Sequence, residues 1–195
     1  SKSNADSGYD FMISNSIPWF SLRDLGTQYG LPSSDALEVG KWYHIVGVYN
    51  DPSSKIYVNG EFKGYNANAQ LITGDNNLII GYSEDPSGVD YFNGTIDEFH
   101  IFDRNLTEDE IEELYQEGLG ENDRTKDYSS FSNNGTVEGT VWNSTGGYDD
   151  KGAYYFDGNN DYINLNQDEI IANNTESTIM AWIYWEGNGN AESMI

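Results

Sequence analysis

The chain has 195 residues, 37% of them hydrophobic and 14% aromatic, with 21 Gly and 4 Pro, which suits one substantial core of many short strands and excludes a disordered chain. Asp and Glu number 33 against 9 Lys and Arg, a formal net charge of -24, and a surface of that sign repels polyphosphates and anionic leaflets, arguing against nucleic acid as a partner. Zero Cys leaves no disulfide framework and no thiolate metal site, and no apolar stretch approaches the ~20 residues that membrane insertion needs.

In chain order, strands are expected at Tyr9 to Ser14 and Pro18 to Arg23. The clearest strand is Trp42 to Tyr49, aromatic and β-branched, covered on both faces and ended by Asn50-Asp51-Pro52. Lys55-Ile56-Tyr57-Val58, the turn Asn59-Gly60, and Glu61 to Tyr65 form a hairpin with the preferred two-residue turn. Asn77 to Tyr82 and Thr95 to Phe102 follow as strands. Thr107 to Tyr115 then reads as the one short helix: Thr107 and Glu110 make a capping box, acids fill the first turn, and Gly118 supplies the stop. Gly118 to Thr125 is polar and marks the best internal boundary. Gly152 to Phe156, Asp161 to Leu165 and Thr178 to Trp185 complete the strands. Short antiparallel strands with one appended helix predict an all-β sandwich or jelly roll.

Particular residues narrow this further. Gly40-Lys41-Trp42-Tyr43-His44-Ile45-Val46, the "YVNG" hairpin of Tyr57 to Gly60, Leu78 to Tyr82, Phe92 to Phe102 and the helix of Leu106 to Tyr115 resemble the closing half of the laminin G-like, concanavalin A-like sandwich family. Asp127 to Thr136, Phe156 to Ile163 and Thr178 to Ile183 resemble that family's opening half, and Glu192 to Ile195 running into Ser1 to Ala5 resembles the strand placed after it. Relative to the family the halves are inverted: 1–119 closes a sandwich and 120–195 opens one. Two explanations stand, a circular permutant within one domain or a slice of a tandem array whose next repeat completes the sandwich. The slice, or exchange of strands between subunits, is favoured, because Ile195 and Ser1 fall inside a strand region; with no Met, basic region or apolar run at its start, the chain reads as an excised or processed piece. Neither half can stand alone with unpaired edges and a bare apolar face.

Candidate chemistry is sparse. His44 and His100 are the only histidines, His44 reads as a strand residue packed under a neighbour, and two histidines make a poor zinc site. Strand alternation puts Asp97 and Glu98 on opposite faces, where they cannot jointly flank a glycosidic bond, and the alternating carboxylate motif of the laminarinase-type glycosidases is missing. The resemblance implies instead a structural Ca²⁺ held by Asp97, with Asp127 and Asp157 as further candidates; turn capping is the competing role for those two. Trp19, Tyr82, Tyr91 and Trp142 lie near expected loops and are the candidates for a sugar-binding or protein-binding face, whereas Trp42 and Trp182 look like core. Sequons occur at Asn93, Asn105, Asn134, Asn143 and Asn173 and would carry glycans in an extracellular setting.

The expected function is therefore a non-catalytic extracellular or cell-surface module, a structural repeat of a filament or adhesin whose partners are neighbouring copies of itself. A carbohydrate-binding module is the alternative. A glycosidase is suggested by fold analogy alone, which is a poor guide.

Overall fold

The computed structural model describes residues 7–24, 27–70, 78–85, 88–118, 136–143, 145–164, 176–187 and 192–193. Its elements are β1 (Ser7–Ser14), β2 (Ile17–Asp24), β3 (Thr27–Pro32), β4 (Trp42–Asn50), β5 (Ser53–Val58), β6 (Glu61–Asn66), β7 (Ile79–Ile80), β8 (Tyr82–Asp85), β9 (Gly88–Tyr91), β10 (Asn93–Phe102), α1 (Glu108–Gly118), β11 (Thr136–Glu138), β12 (Val141–Asn143), β13 (Ala153–Asp157), β14 (Tyr162–Asn164), β15 (Glu176–Trp185) and β16 (Glu192–Ser193). All pairings are antiparallel. They build a seven-stranded sheet ordered β12-β13-β10-β15-β4-β5-β6, a four-stranded sheet ordered β16-β1-β2-β3, and smaller sheets β11-β14-β7 and β8-β9. This is the all-β antiparallel sandwich with one helix that the sequence predicts.

The inward faces alternate as the pleat requires. Phe11, Ile13, Phe20 and Leu22 from the four-stranded sheet meet Ile45, Ile56, Ile96, Ile179 and Ile183 from the seven-stranded one, all of them buried. Gly47 is the point of closest approach: a Cβ there would sit 2.6 Å from the ring of Phe11 and 2.8 Å from that of Phe20. The missing side chain is what lets those two rings, stacked 5.2 Å apart, close onto β4.

The outer face of the seven-stranded sheet has its own core. Val46, Val48, Tyr57 and Met180 are covered by Leu106 and by Ile111 of α1. The expected capping box forms, with Glu110 N donating to Thr107 Oγ1 at 3.2 Å and Thr107 N to Glu110 Oε2 at 2.8 Å. Buried Thr178 fixes the approach, because its hydroxyl donates to Arg104 O and accepts from Leu106 N, both at 3.0 Å. The helix is thereby tied to β15 before it begins.

The connection between the two halves of the sequence is decided by β15. It lies between β10 and β4, in register from Gly94↔Trp185 to Phe102↔Thr178 on one side and from Glu176↔Asn50 to Tyr184↔Trp42 on the other. β13 pairs with β10, and β16 with β1 through Met12↔Ser193. Segment 120–195 thus completes the sandwich begun by 1–119 within one chain. The sequence favoured a neighbouring copy as supplier of these strands; in the single chain described, β15 pairs with β10 and β4 of its own chain and carries apolar side chains toward both cores. Ser1 and Ile195, and the boundary from residue 119 onward, lie outside the described residues.

Two local expectations change. The strand foreseen at Asn77 to Tyr82 is divided at Gly81, whose φ of 88° is left-handed and whose missing Cβ leaves room for Phe156. The short strands β3, β9, β11 and β12 have no foreseen counterpart. For Gly47→Ala, overpacking against Phe11 and Phe20 should cost about 1–3 kcal/mol, read as a lower denaturant midpoint with an unchanged slope.

Candidate functional site

β10 loses its alternation just after Asp97. The register with β15 jumps between Asp97↔Trp182 and His100↔Met180, and Glu98 adopts a φ of 47°, the signature of a bulge in which two residues face one. Phe99 and Ile101 turn inward to the main core, while Glu98 comes within electrostatic reach of Tyr148 on the outer side. The period-two alternation from which Asp97 and Glu98 were expected on opposite faces is thus interrupted at this pair.

Across the outer face, Asp97, Trp182 and His44 form one row over β10, β15 and β4. Tyr148, from the loop after β12, stacks on Trp182 with centroids 3.8 Å apart and planes 16° apart. Tyr115, from the last turns of α1, stacks on both Trp182 (5.8 Å) and His44 (5.7 Å). Trp42 joins at the margin against Tyr148 and Tyr184, so it belongs to this outer cluster, whereas Trp182 is buried as expected.

Gly147, at φ 92°, brings the loop backbone against the Asp97 carboxylate. Tyr148 N donates to Asp97 Oδ2 at 3.1 Å and Glu98 N to Asp97 Oδ1 at 2.9 Å. Burial pushes the Asp97 carboxyl up; the two backbone N–H groups pull it down, and nearby Asp149 pushes it up again, for a net rise. A half-dry carboxylate beside a second one is a setting that a hard cation would relieve. Among the described residues, however, no three acidic or histidine side chains converge as a metal-binding group. Asp157 is placed elsewhere: it pairs with Asn93, four residues along β10 from Asp97, or roughly 13 Å at the rise of a strand. There it caps a turn, with Asn159 N donating to its Oδ1 at 2.9 Å. Asp127 lies outside the described residues. Asp149 was not foreseen as a candidate; its only sequence signal is an acidic pair, Asp149-Asp150, following the Gly146-Gly147 turn.

Two comparisons bear on this fold. Residues 1–112 match the laminin G family model described as the concanavalin A-like lectin/glucanases superfamily. The chain belongs to this family. A 2.1 Å crystal structure of an S-layer domain-containing protein (residues 221–444) from Clostridium thermocellum aligns at 24% identity over 58% of this chain and 64% of that one, with a TM-score of 0.36. No curated protein matches.

Within this laminin G-like chain the foreseen aromatic candidates divide among three places. Tyr82 and Tyr91 pair across the β8–β9 hairpin at 5.2 Å, with Tyr162 5.8 Å from Tyr82. Trp19 lies over Gly30 on the four-stranded sheet, half-buried. Trp142 stands 51% exposed on β12, edge-on to Tyr154 at 4.9 Å. Of the sequons, Asn143 is exposed, with its Oδ1 accepting from Thr145 N at 3.2 Å. Asn93 and Asn105 are half-buried, and Asn134 and Asn173 lie outside the described residues.

His44 is the packed strand histidine that was expected: it is 0% exposed, and neither ring nitrogen has a hydrogen-bond partner. Burial, and secondarily the charge of His100, lower its pKa to about 3. A depressed pKa means that the neutral ring contributes stability fully above the unfolded value of 6.5, and that this is lost as pH falls toward the folded value. At pH 5 the loss is about 2 kcal/mol. Thermal unfolding from pH 7 to 4 should show this decline, and His44→Phe, which keeps the stack without the titration, should flatten it.

Proposed function

We propose that this laminin G-like module is a non-catalytic extracellular building block of a surface filament or adhesin, with copies of itself as partners. The observation that carries the reading is how the outer face is used. Its carboxylates and rings hold the molecule together: Asp97 accepts from two backbone N–H groups, and Trp182 and His44 are roofed by Tyr115 and Tyr148. Exposed apolar groups gather at the sheet edges instead, among them Trp142 and Tyr65, which is how a surface made for contact with protein is composed. The acid excess and the sequons suit an extracellular setting. Light scattering over a concentration series should show self-association, and incubation with β-glucans should leave them intact. Turnover abolished by Asp97→Asn or Glu98→Gln would reverse the non-catalytic reading.

A carbohydrate-binding role is the second reading, favoured by the half-exposed ring of Trp142 with Tyr154 beside it. Titration calorimetry with neutral oligosaccharides decides it: binding that disappears in Trp142→Ala supports it, and no heat with any of them dismisses it.

The same proposal includes a structural Ca²⁺ at the Asp97 loop, with Asp149 as the second carboxylate and backbone carbonyls as further oxygens. The raised Asp97 carboxyl supports this, since its ionised form costs folding energy as pH rises through the raised pKa and a bound cation would remove that cost. At a tenfold excess over Kd, Ca²⁺ should add about 1.4 kcal/mol by mass action. The melting temperature at low salt should fall with chelator, and Asp97→Asn should abolish the difference; identical curves with and without chelator would dismiss the site.

A further inference from the structure

The His44 ring is fully buried, yet neither of its nitrogens has a hydrogen-bond partner. Buried polar atoms are normally paired, and an imidazolium in this position would have nothing to accept its protons. The backbone at His44 is fixed: His44 N donates to Asn59 Oδ1 at 3.0 Å, Asn59 N donates to His44 O at 2.8 Å, and β15 pairs on the other side through Trp182. Tyr148, stacked on Trp182, is anchored through its own N–H to Asp97. The part of the cover with the fewest ties is Tyr115 of α1, which stacks on the imidazole with centroids 5.7 Å apart.

α1 is held unevenly along its length. At its start Arg104 donates to both carboxylate oxygens of Glu110, at 3.0 and 2.8 Å, and Lys55 and Tyr57 donate to Glu108 Oε1 at 3.0 and 3.2 Å. The Arg104 bond, with the Thr107 N–H, holds the Glu110 carboxyl down at about 2, and Lys55 holds that of Glu108 below its usual range. These ties therefore survive mild acid. Beyond buried Ile111 the cover thins: among the described residues the helix adds half-buried Leu114 and Tyr115 and the contact of Glu112 with Gly60. The last turn has no basic residue to balance the negative end of the helix dipole. Segments with so few buried contacts open locally at less cost than the whole fold.

We propose that residues 112–118 of α1 form an acid-released lid: when Tyr115 lifts, His44 takes a proton from water and cannot return beneath the ring until it gives it up. This goes beyond the loss of overall stability derived above, because the helix end opens while the sandwich stays folded. The titratable groups around the imidazole are Tyr115 and Glu112 from α1, Tyr148 from the loop after β12, and His100, Glu98 and Asp97 from β10; Trp182 of β15 and Asn59 of the β5–β6 turn carry no charge. Burial, with a smaller contribution from His100, keeps the closed imidazole at about 3, against an ordinary 6.5. The closed form is thus favoured above the ordinary value and loses ground as pH falls, and the opening constant should rise about 25-fold from pH 7 to pH 5. What the open form presents is a cation beside Trp182, on a chain of formal charge -24.

The test is native-state hydrogen exchange of the chain between pH 7 and pH 5 in low urea, read by mass spectrometry with intrinsic exchange rates divided out. Amides of residues 113–118 should open with little urea dependence, and about 25-fold more at pH 5. Amides of β4 and β15 should follow the steep urea dependence of global unfolding. His44→Phe should remove the pH dependence at the helix end, with His44→Gln as the substitute if the first fails to fold. Asp97→Asn should keep it, which separates the imidazole from the carboxyl that anchors the Tyr148 loop. As a second readout, the His44 ring followed by NMR should titrate near 6.5 in Tyr115→Ala and well below that in the wild type. The lid is overturned by helix-end amides that share the urea dependence of β4 and β15, by a pH dependence that persists without His44, or by an imidazole still depressed in Tyr115→Ala.

Discussion

Everything in this molecule depends on filling one gap. β4 and β10 both come from the first part of the chain, and they are not neighbours; β15, from the far part, lies between them and pairs with each along nearly its whole length. With β15 absent, two long strands would each present an unpaired row of backbone groups, and both cores would be open, since Ile179, Ala181 and Ile183 face inward while Met180 and Trp182 face outward. An unpaired buried N–H or C=O costs about as much as a lost hydrogen bond. The strand is therefore a keystone with two apolar faces, and neither half of the sequence is a folding unit alone.

The same strand explains why the outer face became a second core and not an open surface. A strand buried on both faces needs cover on both. α1 covers the Met180 end, tied down by Thr178 of β15 itself. Tyr148 and Tyr115 cover the Trp182 end. His44 lies beneath that second cover, which is why its charge state and the docking of the last turns of α1 are physically linked: a protonated imidazole between aromatic rings would have no acceptor. The Asp97 bulge belongs to this arrangement, since the loop bearing Gly147 and Tyr148 is anchored by the Asp97 carboxylate.

Most of this architecture was legible because the long elements announce themselves. Trp42 to Tyr49 and Thr178 to Trp185 are dense in aromatic and β-branched residues, Asn59-Gly60 names its own turn, and Thr107 with Glu110 names the start of the helix. What stayed hidden depends on contacts distant in sequence. β12 is three residues, all exposed, with no alternation to detect. The side on which Glu98 lies could not follow from period-two reasoning, because a bulge suspends that period and nothing in Ile96-Asp97-Glu98-Phe99 marks where. Asp149 is recruited only by the fold, through a loop that must first close over Trp182. Asp157 went the other way: its position after a buried Phe suited a ligand and a turn equally, and the local Asn159 N–H claims it.

The distribution of charge completes the picture. Each described lysine has a carboxylate at hand: Lys41 with Glu38, Lys55 with Glu108, Lys63 with Asp35 and Glu61, and Lys151 with Asp149. Such exposed pairs add little stability, but they decide what is left over. With the few cations locally neutralised, the remaining carboxylates set a long-range repulsion between copies, so approach is tolerable only where carboxylates are sparse or lysines stand beside apolar groups.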